Sequence, residues 1–436
     1  MDFAKKTFSI FKMDIGVHSF TFFLKFALAG LLGPYNFGLF SLIMLIPDYS
    51  EKLGRLGVDY AAVYWAGKKK YPIGDIIIHV GITTVLLSLI PIFLFLWKGD
   101  LFMRWILHDP STPQVWIWIV LLSIPFIFFI RSVSMLLLFL EKITAYNNIT
   151  FLPPFFGLLI GVLGIVLLKT GIIGVFIGYS FAYIVAAFIG GIFLIEHITT
   201  KPHLKIDIVK DLVNYGTKVY SSNVMEYLQY RVDMLIVSFF LSPKEVGCYA
   251  LAVTIAEIMR KIPTVSALIF YPRVSKSSHE EAVLMTTKTC RYITALIAFL
   301  SIPFYFFVKV LFVFFLKHNY SSSLILILVL LPGLVGVGIS PILRYYFFGS
   351  GYPNIATKAM FIGLLSNVVA NLLLIPRVGV IGAAISSTFS YILCTVVLSI
   401  DFFRLEKVKF SELFVLRRNE IGFFYDFFNF VVRRHK

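Results

Sequence analysis

The sequence predicts an all-α polytopic membrane protein of about twelve spanning helices, arranged as two parallel six-helix repeats. Three observations carry that expectation. Of 436 residues, 59% are hydrophobic and only 14% charged, and the mean hydropathy is +0.88. Apolar runs of roughly 20 residues, each enough to cross the hydrocarbon core, recur along the chain and leave no room for a soluble domain between them. The chain is also duplicated. Gly33-Pro34-Tyr35-Asn36-Phe37-Gly38-Leu39-Phe40-Ser41-Leu42 returns as Ser242-Pro243-Lys244-Glu245-Val246-Gly247-Cys248-Tyr249-Ala250-Leu251, and Gly171, Gly174, Phe181 and Tyr183 return as Gly379, Gly382, Phe389 and Tyr391. Lipid offers no partners to backbone polar groups, so the spans are helices, whose hydrogen bonds are internal.

In chain order, the spans of the first half fall at 11–32, 37–63, 76–97, 115–139, 149–168 and 172–195. Those of the second half fall at 219–241, 246–270, 292–315, 323–348, 359–375 and 379–403. Residues 1–200 then form an N-terminal lobe, 201–218 a cytoplasmic linker, 219–405 a C-terminal lobe and 406–436 a basic amphipathic tail. In the tail, Phe423, Phe424, Phe427, Phe428 and Phe430 precede Arg433 and Arg434, a pattern that suits a helix lying in the interface. Lys5, Lys6 and Ala27-Leu28-Ala29 imitate a signal peptide, but His18 and Lys25 interrupt its apolar core, so an uncleaved first helix is expected. Six crossings per repeat bring the second copy in with the orientation of the first. Such repeats are related by an axis along the membrane normal and place a cargo site between halves that rock.

The net charge of +16 is unevenly placed. Most of the 39 Lys and Arg lie in the N-terminal segment, the even-numbered connections and the tail, which puts both termini in the cytoplasm. Lys68, Lys69 and Lys70, the stretch from Lys201 to Lys218, and Arg433, Arg434 and Lys436 read as topology signals and contacts with anionic lipid heads, not as a nucleic-acid surface. Cys248, Cys290 and Cys394 have neither metal-ligand spacing nor the pattern of a disulfide framework. There is no phosphate loop, serine elbow or His-Glu-x-x-His motif, and the longest external connection, Lys98 to Gln114, offers only Asp100, His108 and Asp109. These features point away from an enzyme and from a resident metal or cofactor.

Polar residues line one face of the first and second spans of each half. Asp14, His18, Thr21 and Lys25 follow i, i+4, i+7, i+11, an arc of about 60° on a helix. Asp48, Lys52, Arg55 and Asp59 repeat the pattern, as do Ser222, Glu226, Gln229 and Asp233; Thr254, Glu257, Lys261 and Thr264 share a face with Arg260 at its edge. A charge at the bilayer centre costs about 2.5–3.5 kcal/mol on the lenient scale, so such lines survive only around a watered cavity or in buried pairs. The duplication superposes Asp48 on Glu257 and Lys52 on Lys261, each acid four residues ahead of its base, the order that favours an intrahelical ion pair. Arg131 lies deep in the fourth span, and Asn367 and Asn371, one turn apart, suit helix-to-helix hydrogen bonds.

Four segments stand out: Leu32 to Leu42, Arg231-Val232-Asp233 with the segment 241–250, Phe270-Tyr271-Pro272-Arg273-Val274-Ser275, and the run from Gly349-Ser350-Gly351-Tyr352-Pro353 through Asn367, Asn371 and Leu374-Ile375-Pro376-Arg377-Val378-Gly379 to Ile381-Gly382-Ala383-Ala384. Together they resemble the polysaccharide flippases of the Wzx type. The resemblance extends from about residue 10 to 403. It implies membership of the multidrug/oligosaccharidyl-lipid/polysaccharide exporter superfamily, with two lobes forming a V around a central cavity, alternating access, and the first two helices of each lobe lining the cavity.

The cargo so implied is an oligosaccharide on a polyprenyl diphosphate, moved from the cytoplasmic to the outer leaflet of the cell (inner) membrane. Membrane lipids and the polysaccharide polymerase or glycosyltransferases are the partners it implies. Lys25, Lys52, Arg55, Arg260 and Lys261 are then the candidate cations for the diphosphate. Tyr227 and Tyr230, with Tyr64, offer surfaces for sugars. Asp48, Glu257 and Asp233 are the candidates for coupling to H+ or Na+. In the peptidoglycan-precursor relatives arginines cluster in the cavity, whereas here Lys mixes with acids. Three alternatives stand beside the main reading: a cation-coupled multidrug exporter, a peptidoglycan-precursor flippase, and a scaffold for glycan synthesis.

Overall fold

The computed structural model describes residues 2–107, 112–198, 203–274 and 277–416, and every regular element among them is a helix. Nine of these helices are long and apolar enough to cross a membrane. One of the nine, Ser19–Gly67, takes in the first two expected spans. The two expected spans outside the nine are α7 (Ile206–Phe240) and α8 (Pro243–Val274), whose apolar runs are interrupted by their own polar lines. Counted this way, each expected span falls on described helix.

The first element, α1 (Asp2–Gly54), is continuous except for a kink at Gly33 (φ 72°), where an interhelical connection was expected. A second interruption, absent from the sequence reading, separates α1 from α2 (Val58–Gly67) at Leu56 and Gly57, both left-handed. Next come α3 (Ile73–Phe102), α4 (Gln114–Phe139), α5 (Ile143–Leu168) and α6 (Ile172–Ile195). After α7 and α8 follow α9 (His279–Leu311), α10 (Ser321–Val337), α11 (Ser340–Gly349), α12 (Pro353–Val378), α13 (Val380–Glu406) and the short α14 (Phe410–Phe414). The tenth expected span is thus two helices, α10 and α11. Beyond α14, the residues of the expected tail helix, Phe423 to Arg434, lie outside the described residues.

The chain divides into two compact units, one of residues 1–254 with 315–323 and the other of 255–314 with 324–436. In the first unit, Val58, Ala61 and Ala62 of α2, Ile76 and Val80 of α3, Ile130 and Val133 of α4, and Ile208 and Leu212 of α7 form one core. Burial of Ile208 and Leu212 explains why α7 begins at Ile206, inside the stretch expected to be a linker: the polar sequence carries two core residues one turn apart. Within this unit the duplicated segments meet. A methyl group on Gly38 would run into the carbonyl oxygen of Pro243, and one on Gly247 into that of Pro34. Only glycine allows two helix backbones to approach so closely.

The second unit packs Tyr346 and Phe347 of α11 against Phe402 of α13. Asn367 and Asn371 are fully buried; the Asn371 amide donates to the Asn367 carbonyl oxygen at 2.8 Å, and Asn367 reaches Ser387 of α13. Arg291 of α9, also buried, donates to the backbone carbonyl of Glu412 in α14.

Candidate functional site: a charge cluster at the break of α1

The polar line of the second span crosses the break between α1 and α2, with Asp59 beyond it. Leu56 (φ 52°) and Gly57 (φ 68°) turn the chain there, and a side chain on Gly57 would come within 2.6 Å of the Gly216 carbonyl oxygen, so α7 closes directly on the turn. Arg55 is 5% exposed and lies between two carboxylates, donating to Glu51 at 3.1 Å and to Asp59 at 2.8 Å. Its Nη2 also donates to the Tyr220 hydroxyl at 3.2 Å. Glu51, buried as well, is shared: Lys52 Nζ reaches its Oε2 at 3.0 Å, and Arg131 Nε of α4 lies 3.8 Å from its Oε1. The side chains of Lys52 and Arg131 remain 37% and 41% exposed.

One turn earlier, Asp48 feels the positive charges of Arg231, Lys25 and Lys52. The Tyr49 hydroxyl donates to the Arg231 carbonyl oxygen at 2.8 Å, and the Tyr49 ring stands edge-on to Tyr227, centroids 5.3 Å apart. Tyr227 is half-buried and Tyr230 buried. Asp233, buried on the same helix, accepts from the Tyr249 hydroxyl at 2.5 Å and so joins α7 to α8. In the second unit, Glu257 pairs with Arg260 at 3.5 Å, and Lys261 is exposed. The side chains of Asp14, His18 and Ser222 lie outside the described residues.

The geometry redistributes one of the expected ion pairs, since the base four residues after Asp48 pairs with Glu51. Glu257 reaches Arg260, three residues on. Glu51 is the acid that sequence reasoning missed. A signal was present, because Glu51 and Arg55 are themselves four apart in the favourable acid-first order. Tyr220 of α7 and Arg131 of α4 reach the cluster from other helices, and no spacing within one helix reveals them.

Beyond the charge cluster, α2 and α7 are clasped together. The rings of Tyr64 and Tyr215 stack with centroids 4.0 Å apart, which covers a face of Tyr64 expected to be open to sugar. Trp65 Nε1 donates to the Asp211 carbonyl oxygen at 3.3 Å. Lys70 and the Tyr71 hydroxyl both donate to the Asp211 carboxylate, at 2.5 and 2.7 Å. These two donors hold the Asp211 carboxyl below its ordinary range, and the hydrogen bond to Asp211 in turn raises the Lys70 amine.

Comparison with known proteins places these features in context. The sequence signature of the polysaccharide biosynthesis protein family matches residues 27–324. An uncharacterized membrane protein of Methanocaldococcus jannaschii is 25% identical over 189 residues, 42% of this chain and 37% of that protein. A probable low-salt glycan biosynthesis flippase of Haloferax volcanii is 25% identical over 240 residues, 53% of this chain and 50% of that protein. The chain therefore spans about half the length, or less, of these curated relatives. The fold is shared with the lipid II flippase MurJ in an inward closed conformation, at TM-score 0.75 and 16% identity, covering 93% of this chain and 89% of that one. An inward-facing multidrug resistance MATE family transporter gives TM-score 0.75 at 13% identity, covering 90% and 96%.

Proposed function

Because the chain belongs to the polysaccharide biosynthesis protein family, of the Wzx-type flippases within the multidrug/oligosaccharidyl-lipid/polysaccharide exporter superfamily, we propose that it moves a lipid-linked oligosaccharide between the leaflets of a membrane. The cargo in this reading is an oligosaccharide on a polyprenyl diphosphate, carried from the cytoplasmic to the outer leaflet of the cell membrane by alternating access. The observation that carries the reading is the concentration of ionisable side chains along α1, α7 and α8, where Asp48, Glu51, Lys52 and Arg55 are met by Arg131 of α4. Charges in spanning helices are retained where they serve a polar or charged traveller.

Lys25 and Lys52, both half-exposed, are the cations of the first unit suited to the diphosphate, with Arg260 and Lys261 in the second. Arg55, enclosed by Glu51 and Asp59, shapes the surface on which they stand. Tyr227, edge-on to Tyr49 and within the field of Asp48, is the aromatic surface suited to sugar. Asp48, Asp233 and Glu257 are the acids through which H+ or Na+ would couple to the movement.

The test is reconstitution into vesicles with a labelled polyprenyl-diphosphate oligosaccharide in one leaflet. Movement to the other leaflet, absent from protein-free vesicles, is the expected result. Uptake of organic cations without glycolipid movement would instead favour the multidrug exporter, a reading to which the MATE fold likeness and the three acids lend support. Movement restricted to lipid II would favour the peptidoglycan-precursor flippase.

A further inference from the structure

The charge cluster at the break of α1 does not balance. Glu51 and Asp59 supply two negative charges, while Lys52, Arg55 and Arg131 supply three positive ones. Enlarging the group leaves the surplus in place, since Asp48 and Asp233 bring two negative charges and Arg231 and Lys25 two positive ones. An unbalanced cation within a spanning segment is expensive unless water or an anion reaches it.

The distances say which cation carries the surplus. Arg55 is held through both terminal nitrogens by two carboxylates and a phenol. Lys52 has one carboxylate oxygen at 3.0 Å. Arg131 has the weakest hold: its Nε is buried and lies 3.8 Å from Glu51, beyond hydrogen-bond reach, and Glu51 is the sole acid acting on it among the described residues. Its other electrostatic neighbours are Tyr179, Tyr183 and the like-charged Arg55. Yet the Arg131 side chain is 41% exposed, so its guanidinium remains reachable from outside the cluster.

We propose that Arg131 and Lys52, held on either side of the Glu51 carboxylate, form a subsite for a phosphate-bearing headgroup. The inference rests on the transport reading above and adds to it a cation from the fourth span. A guanidinium fork and a compact ammonium are complementary tools for such a group, the first bidentate and directional, the second a mobile point charge. Glu51 is a positioning residue: it holds the two cations together in the empty state and competes with the incoming anion for both. Removing its charge should therefore strengthen anion binding, the opposite of what a purely structural role predicts.

The experiment uses the full chain in phosphatidylcholine nanodiscs, with affinities for farnesyl diphosphate and inorganic pyrophosphate measured alongside the melting temperature. Arg131→Gln and Lys52→Gln are each expected to weaken both ligands about tenfold or more, with Arg131→Lys retaining part of the affinity. Glu51→Gln is expected to tighten both several-fold while lowering the melting temperature. A parallel arm adds phosphatidylglycerol to the nanodiscs: competition that depends on Arg131 assigns the subsite to any phosphate headgroup, and its absence assigns it to diphosphates. Wild-type binding that survives unchanged in Arg131→Gln and Lys52→Gln overturns the subsite and leaves the transport reading standing. Failure of the wild type to bind any of these anions overturns both.

Discussion

Arg55 is the side chain whose loss the structure makes most costly. Its removal would leave Glu51 and Asp59 buried without their shared cation, and breaking such an arrangement by deleting one partner costs about 3–5 kcal/mol. Arg55→Ala should accordingly lower the unfolding midpoint of the purified protein in detergent, and Arg55→Ala/Asp59→Asn should recover part of the loss. Lost transport in Arg55→Ala would then report on folding, whereas Lys52→Gln, at a half-exposed position, should keep its midpoint and report on cargo. The pairing also fixes an outcome for Asp48. Because Lys52 pairs with Glu51, transport lost in Asp48→Asn should not return in Asp48→Asn/Lys52→Gln; full recovery would contradict the geometry. Helical spacing made the face of this site legible, down to Asp48, Lys52, Arg55 and Asp59. It could not choose between Asp48 and Glu51 as the partner of Lys52, since both lie on that face, nor bring in Arg131 from another helix.

Among the elements, the clasp between α2 and α7 is the most exposed to experiment. Cysteines replacing Tyr64 and Tyr215, whose rings stack at 4.0 Å, should be joined efficiently by a short bifunctional thiol reagent. Adding Gly216→Val should abolish the product, because Gly216 faces Leu56 and Gly57 with no room for a side chain. The clasp should also respond to pH in one direction first. Asp211, its carboxyl depressed, contributes above the ordinary aspartate range near pH 4 and loses that contribution as pH falls through its lowered value. Lys70, its amine raised, contributes through neutrality and loses the contribution only as pH climbs through its raised value. Hydrogen exchange in residues 206–215 should be flat across neutral pH after correction for the intrinsic rate, and should quicken at the acid end; Asp211→Asn should remove that acid limb. Composition made the spans themselves legible. The early start of α7 was not, because Ile208 and Leu212 are two apolar residues in a polar stretch, and only a neighbouring core gives them a reason to be helical.

At the scale of the molecule, the duplication and the uneven distribution of Lys and Arg both bear on orientation. Reporter fusions at Thr112 and Asn319 should report the outside of the membrane, and fusions near Lys205 and Lys210 the cytoplasm. Cytoplasmic signals at the first two sites would overturn the topology and, with it, the direction proposed for transport. The twelve-span architecture could be read from hydropathy because lipid imposes one solution on the backbone. The assignment of cargo could not, since the same fold serves lipid II flippases and multidrug transporters alike.

The meeting of Gly38 with Pro243 and of Gly247 with Pro34 carries a consequence of a different kind. Each half presents the same short motif, and each glycine receives the other half's proline carbonyl, so the contact is self-complementary in the manner of a twofold homodimer interface. A single six-helix unit bearing a proline and a glycine four residues later already contains both sides of the joint. The chain thus carries, within one polypeptide, the interface by which two separate copies would have recognised each other. Expressed as two polypeptides cut between Thr199 and Pro202, the halves should find each other again through this joint and co-purify. Gly38→Val should be enough to prevent it, with Gly247→Val equivalent in effect.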